Sequence, residues 1–156
     1  MPLPNYSTTV DHQKSAEEIR KLLRGRVRRT ILDEDSMGNV VAIQFIIETN
    51  HGTFPFRLPV NVEACRAALQ SQRQRGEISG SYTITTDKAR RVAWRILKDW
   101  IRAQLGLIDT GMVATEEVFL PYLMLDEKRT MFDALKEGKL PLMLDSGDDV
   151  VIEVTQ

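Results

Sequence analysis

Five cations, Lys88, Arg91, Arg95, Lys98 and Arg102, recur at steps of three and four within the stretch from Thr86 to Leu105. Residues at that spacing share one face of a helix. The row lies within a stretch of about twenty residues, roughly 30 Å of helix at the helical rise. Guanidinium and ammonium groups so arranged suit contact with the phosphates of a nucleic acid, each contact releasing counterions. Trp94 stands in helical neighbourhood of Arg90, Arg91, Arg95 and Lys98, and an exposed indole there would stack on a base. A second cluster, Arg24, Arg26, Arg28 and Arg29, joins the first helix to the first strand. It supplies Arg28 as an additional phosphate contact, and Arg57 stands ready to join it. The same cations also make an ordinary solvated helix face, with Asp87 and Asp99 as local partners.

Other chemistries find less material. Two histidines, His12 and His51, fall in separate predicted loops, and Cys65 is alone, so no zinc-like spacing exists and no metal site is assigned. Asp33-Glu34-Asp35 offers at most a loose cation site in a charged turn. No glycine-rich phosphate loop, dinucleotide fingerprint or nucleophile elbow occurs. No cofactor and no catalytic residue are therefore expected. A carboxylate nuclease would need acids on neighbouring strands, and Asp33, Asp35 and Glu48 are the residues it would use.

These side chains need a frame. The first dozen residues, with two prolines, read as an extended arm. Ser15 followed by Glu18 matches a capping box, Ile19, Leu22 and Leu23 give a short helix its apolar stripe, and Gly25 ends it. Three strands are expected next: Val27 to Leu32, Val40 to Thr49 and Thr53 to Leu58. In the second, Val41, Ile43, Phe45 and Ile47 alternate with Ala42, Gln44, Ile46 and Glu48. Pro55 lacks a backbone donor and marks the third as an edge strand. Asn61 caps a second helix burying Val62, Cys65, Ala68 and Leu69, which stops at Gly76. A mobile loop around Gly80 leads to the long basic helix, capped by Thr86 or Asp87. Its apolar side is Ala89, Val92, Ala93, Ile96, Leu97, Trp100 and Ile101. Thr115 with Glu116 and Glu117 opens a short helix that Pro121 kinks or ends. Thr130 caps a last one, stopping at Gly138. The expected fold is α+β: a helix, a three-stranded antiparallel meander, then a mainly helical half. The first helix, the meander and the next helix would form two layers. Residues 1–144 are read as one domain with an arm over 1–12, and 145–156 as an acidic tail in which Val150-Val151-Ile152 could add a strand.

The chain of 156 residues carries a net charge of −1, which conceals an asymmetry. Residues 1–106 hold 17 Lys and Arg against 11 Asp and Glu, whereas residues 107–156 hold 4 against 11. Such a split points either to nucleic-acid contact or to halves that neutralise each other. No run of about eighteen apolar residues would cross a membrane. The start, Met1-Pro2-Leu3-Pro4-Asn5, is unlike a secretory signal. With a lone cysteine that packs as a small hydrophobe, a cytoplasmic setting is expected.

Phe54-Pro55-Phe56-Arg57-Leu58-Pro59-Val60-Asn61, the run Ala89-Arg90-Arg91-Val92-Ala93-Trp94-Arg95-Ile96-Leu97-Lys98-Asp99-Trp100, and Val118-Phe119-Leu120-Pro121-Tyr122 together resemble a family of small uncharacterised proteins of bacteria, phages and other mobile elements. That resemblance implies a cytoplasmic accessory protein, supports a role around nucleic acid and names no catalytic residue. The helix–meander–helix order is similar only in topology to double-stranded-RNA-binding domains, from which it departs by the helix inserted over 61–75.

Three readings follow. The first is a non-catalytic nucleic-acid-binding accessory protein gripping phosphates through Lys88, Arg91, Arg95, Lys98, Arg102 and Arg28, with Trp94 as a stacking platform. The second is a protein-interaction module, or an inhibitor of a host protein, with the apolar segment 112–125 as a partner or homo-oligomer interface. The third is a metal-dependent nuclease or hydrolase built on Asp33, Asp35 or Glu48.

Overall fold

The computed structural model describes residues 1–138. The proposed acidic tail and the strand at Val150-Val151-Ile152 lie outside the described residues. The element order is α1 (His12–Leu23), β1 (Arg29–Glu34), β2 (Val40–Thr49), β3 (Gly52–Pro59), α2 (Val62–Gln74), α3 (Thr86–Asp109), α4 (Thr115–Phe119), a 3-10 turn (Leu120–Tyr122) and α5 (Met131–Lys136). The fold is α+β, as the hydropathy pattern predicts.

The sheet is an antiparallel meander, β1-β2-β3, with β3 at an edge. Phe45 pairs with Thr30 on one side and Phe56 on the other. Period-two alternation then places Ile43, Phe45, Ile47, Phe56 and Leu58 on one face, where all five are buried. α1 and α3 cover that face, contributing Ala16, Ile19 and Leu23 from α1 and Trp94, Ile101 and Leu105 from α3. Phe119 closes the core from the far end, its ring edge-on to Phe45 at 5.2 Å. The outer edge of β3 is partly masked: the Met124 amide donates to the Pro55 carbonyl at 2.8 Å.

Four expectations about elements are corrected. The second layer is α1 with α3, whereas α2 packs chiefly on α3, through Leu69, Ala89 and Val92. α1 starts four residues earlier than the Ser15 box implies. Asp11 is its cap, its carboxylate accepting from the Gln13 amide at 2.8 Å, which leaves Ser15 buried inside the helix. α3 is capped by Thr85, whose hydroxyl accepts from the Lys88 amide at 3.1 Å. β1 begins at Arg29, because the Val27 amide is spent on Leu23 in the turn that ends α1.

The first ten residues are a strap rather than a free arm. The Leu3 amide donates to Gln72 at 2.9 Å, the Asn5 side chain to Asp99 at 2.7 Å, and the Tyr82 hydroxyl to the Tyr6 carbonyl at 2.5 Å. Leu3 and Tyr6 are apolar enough to bury, and they close over the cluster that Leu69, Ile78 and Val92 form. The loop expected to be mobile around Gly80 is anchored in that cluster by Ile78, Tyr82 and Ile84.

Candidate nucleic-acid interface

The order of contacts shows how α1 lies on α3. Ser15 and Glu18 meet Arg95, and, past the end of α1, Arg26 meets Asp109. Lys21 and Leu22 share a groove with Lys98 and Arg102. Residue numbers rise together along both helices, so the two run parallel. Their carbonyl ends, each carrying partial negative charge, therefore lie at the same end of the molecule. Arg20 and Lys21 occupy the last turn of α1, while α3 has no basic residue in its own. Arg26 answers the end of α3 by a two-pronged pair with Asp109 at 2.5 and 2.7 Å. That hydrogen bonding holds the Asp109 carboxyl below its ordinary value.

This packing divides the row of cations along α3. Lys88 stands over the Tyr82 ring, 4.9 Å from its centre. Arg91 is half-buried close to His12 and Tyr82. Arg95 is turned inward to an ion pair with Glu18 and a 3.3 Å hydrogen bond to the Ser15 hydroxyl, its side chain 19% exposed. Lys98 is 3.4 Å from Asp99 and only 15% exposed. Burial pushes the Asp99 carboxyl up, yet the Asn5 amide and Lys98 ammonium outweigh it and hold the group below its usual range. Arg102 alone of the five is exposed, and it has no acidic partner among the described residues.

Trp94 requires a correction. It is completely buried, and its indole N–H donates to the Val40 carbonyl at 3.2 Å inside the core. No base can stack on it. The reason is that α3 is flanked by the sheet, α1 and α2, so a two-faced reading of the helix leaves too much of its circumference to solvent. Arg28 is exposed at the sheet rim, paired with Glu48 at 2.9 Å.

A different surface comes together instead. The groove between α1 and α3, about 400 Å³, is lined by Glu18, Lys21, Leu22, Arg95, Lys98 and Arg102. A second hollow of about 250 Å³, where α1 turns into β1, is lined by Glu17, Arg20, Lys21, Arg24, Arg28 and Arg29 among others. Lys21 belongs to both, so they form one basic tract. Within it Lys21, Arg24, Arg29 and Arg102 are exposed and lack an acidic partner among the described residues. Arg24, Arg28 and Arg29 were legible as a cluster in the sequence. Lys21 was not, because its place depends on which helix docks beside α1.

The acids proposed for a nuclease are otherwise engaged. Asp33 accepts from Gln44 at 2.8 Å and Arg57 at 3.0 Å on the outer face of the sheet. Asp35 accepts from the Met37 and Asn39 amides, and these bonds, those of Asn39 first, keep its carboxyl low. Among the described residues no three His, Cys, Asp or Glu side chains stand close enough to hold a metal ion. No described helix is long and apolar enough to cross a membrane. Set against protein-family models, curated protein sequences and solved structures, the chain matches none.

Proposed function

We propose that this chain is a non-catalytic nucleic-acid-binding accessory protein of the phage or mobile-element type, acting in the cytoplasm and gripping phosphates across the α1–α3 groove and the α1–β1 hollow. The observation that carries this reading is the continuity of the two basic hollows through Lys21. Cations that already hold carboxylates have less to offer a phosphate. The working contacts are accordingly Lys21, Arg24, Arg29 and Arg102, with Arg28 and Lys98 secondary. The phage or mobile-element setting rests on the resemblance read from the 54–61, 89–100 and 118–122 motifs alone.

Purified protein is titrated into labelled single- and double-stranded DNA and RNA at about 50 and 200 mM salt. Affinity should fall steeply with salt and show little sequence preference. Lys21→Glu with Arg102→Glu should weaken binding at least about tenfold and flatten the log–log salt slope by about two. Lys128→Glu, in the loop before α5, should change little. Arg95→Glu is a poor test, because it would set two carboxylates against each other at Glu18 and disturb the fold. Wild-type protein that ignores all four polymers, or a double variant that binds like wild type, overturns the reading.

One observation favours a partner protein instead. Segment 112–125 gives Val118, Phe119, Tyr122 and Leu123 to the core, but Met112, Leu120 and Leu125 stay exposed, as do Phe132 and Leu135 of α5. Salt-insensitive association lost on Phe132→Ser would support this second reading.

A further inference from the structure

A cleft of about 400 Å³ opens between α2 and α3, away from the basic tract. Its walls include Leu3 of the strap, Val60 and Asn61 before α2, Cys65 and Ala68 of α2, and Trp100 of α3, with Tyr122 at one end. In a chain whose residues are 28% charged, no Asp, Glu, Lys, Arg or His lines it. By contrast, the α1–α3 groove, the α1–β1 hollow and the hollow beside Pro55 and Met124 are each lined by charge. Trp100 and Tyr122 meet edge to face, ring centres 5.9 Å apart at 68°. Neither the Trp100 indole N–H nor the Tyr122 hydroxyl has a hydrogen-bond partner among the described residues. The volume lies at the low end of the ~300–1,000 Å³ typical of small-molecule sites, and a mainly apolar wall with a few unspent polar groups is their usual make-up.

We infer that this cleft binds a small, uncharged, ring-containing molecule, held by apolar contact with α2 and α3 and by one polar group that engages Trp100 or Tyr122. An ionised ligand is disfavoured, because it would lose its hydration with no opposite charge to meet. A flat ring gains edge contacts from the Trp100–Tyr122 corner. The site is independent of the phosphate-binding reading, since no residue is shared between the two.

The test uses the full chain with 2-naphthol as probe. The two tryptophans report separately: Trp100 lines the cleft and Trp94 is sealed in the core. Titration followed by the two indole N–H resonances should move Trp100 saturably and leave Trp94 in place. Cys65, a neutral thiol since burial pushes it up to about 11, should react with N-ethylmaleimide at least about tenfold more slowly when the probe is saturating. Ala68→Phe and Ala93→Phe, which fill the cleft from opposite helices, should each weaken binding about tenfold or more, or ~1.4 kcal/mol. If either variant loses its fold, protection of Cys65 in the unaltered chain decides. No saturable Trp100 shift, equal shifts of both indoles, or binding unchanged in two folded variants overturns the proposal. So does protection of Cys65 that appears without probe and grows with protein concentration, which would give the cleft to a second copy of the chain.

Discussion

At the scale of single residues, type and position part company. Trp94 and Trp100 lie six residues apart on one helix, yet the first donates its N–H to Val40 in the core and the second lines a cleft. Arg95 and Arg102 share the same stripe, yet one neutralises Glu18 and the other faces water. Their charges could be read from the sequence, whereas their partners could not, because Glu18 is 77 residues away from Arg95. His12 yields a prediction at this scale. Its side chain is 12% exposed, and its Nε2 is buried without a partner. Burial lowers its pKa from 6.5; Asp11 and Asp87 oppose the shift and Arg90 and Arg91 reinforce it. The unfolded chain therefore takes up the proton first as pH falls. The contribution of neutral His12 is complete above 6.5 and is lost as pH drops through the lower folded value. Thermal unfolding should show lower stability at about pH 5 than at about pH 7.5, and His12→Leu should remove most of that difference. An equal loss in both proteins would mean that other groups set the slope.

At the scale of elements, local signals were reliable where the physics is local. The alternation of β2, the Asn61 cap that accepts from Ala64 at 2.9 Å, and the glycine stop at Gly25, with φ of +79°, were all readable from neighbouring residues. The sequence did not reveal which elements touch. α2 has a clear apolar side, but nothing in its own residues chooses α3 over the sheet. The strap was missed for a related reason: two prolines and small polar residues suggest extension, and only the partners of Leu3 and Tyr6 make it a packed element. Its importance can be measured. Tyr6 meets Tyr82 edge to face at 5.8 Å over the α2–α3 cluster. Tyr6→Ala should cost about 1–3 kcal/mol from lost apolar burial and the ring pair. Urea unfolding with an unchanged m value is the measurement, and a cost below about 0.5 kcal/mol would make the strap peripheral to stability.

At the scale of the whole molecule, carboxylates hold the described surface together. Hydrogen bonds keep Asp35, Glu77, Asp99, Asp109 and Asp133 below their ordinary values, and those from Lys128 and Arg129 bring Asp126 to about 2. Each stays ionised in the fold at a pH where the unfolded chain is already protonated. Their contribution is complete above the unfolded values, 4.5 for Glu77 and 3.8 for the aspartates, and fades as pH falls through each lowered folded value, about 2 for Asp126. Unfolding free energy, followed by denaturant at about pH 5, 3 and 2, should decline monotonically; a flat profile would show that these bonds also persist in the unfolded chain. The overall α+β order was legible, but the basic tract was not, because it exists only where α1 and α3 lie side by side. That parallel pairing also bears on how the protein is made. Glu18 and Arg95 are 77 positions apart, and Arg26 and Asp109 are 83 apart. A chain emerging from the ribosome at about 5–20 residues per second holds the first helix and all three strands well before its partner helix exists. Closing a loop of that length is among the slower steps of assembly. The groove is thus a late product of synthesis, and a nascent or truncated chain ending before α3 carries the arginines of α1 and β1 without the surface that would assemble them into a grip.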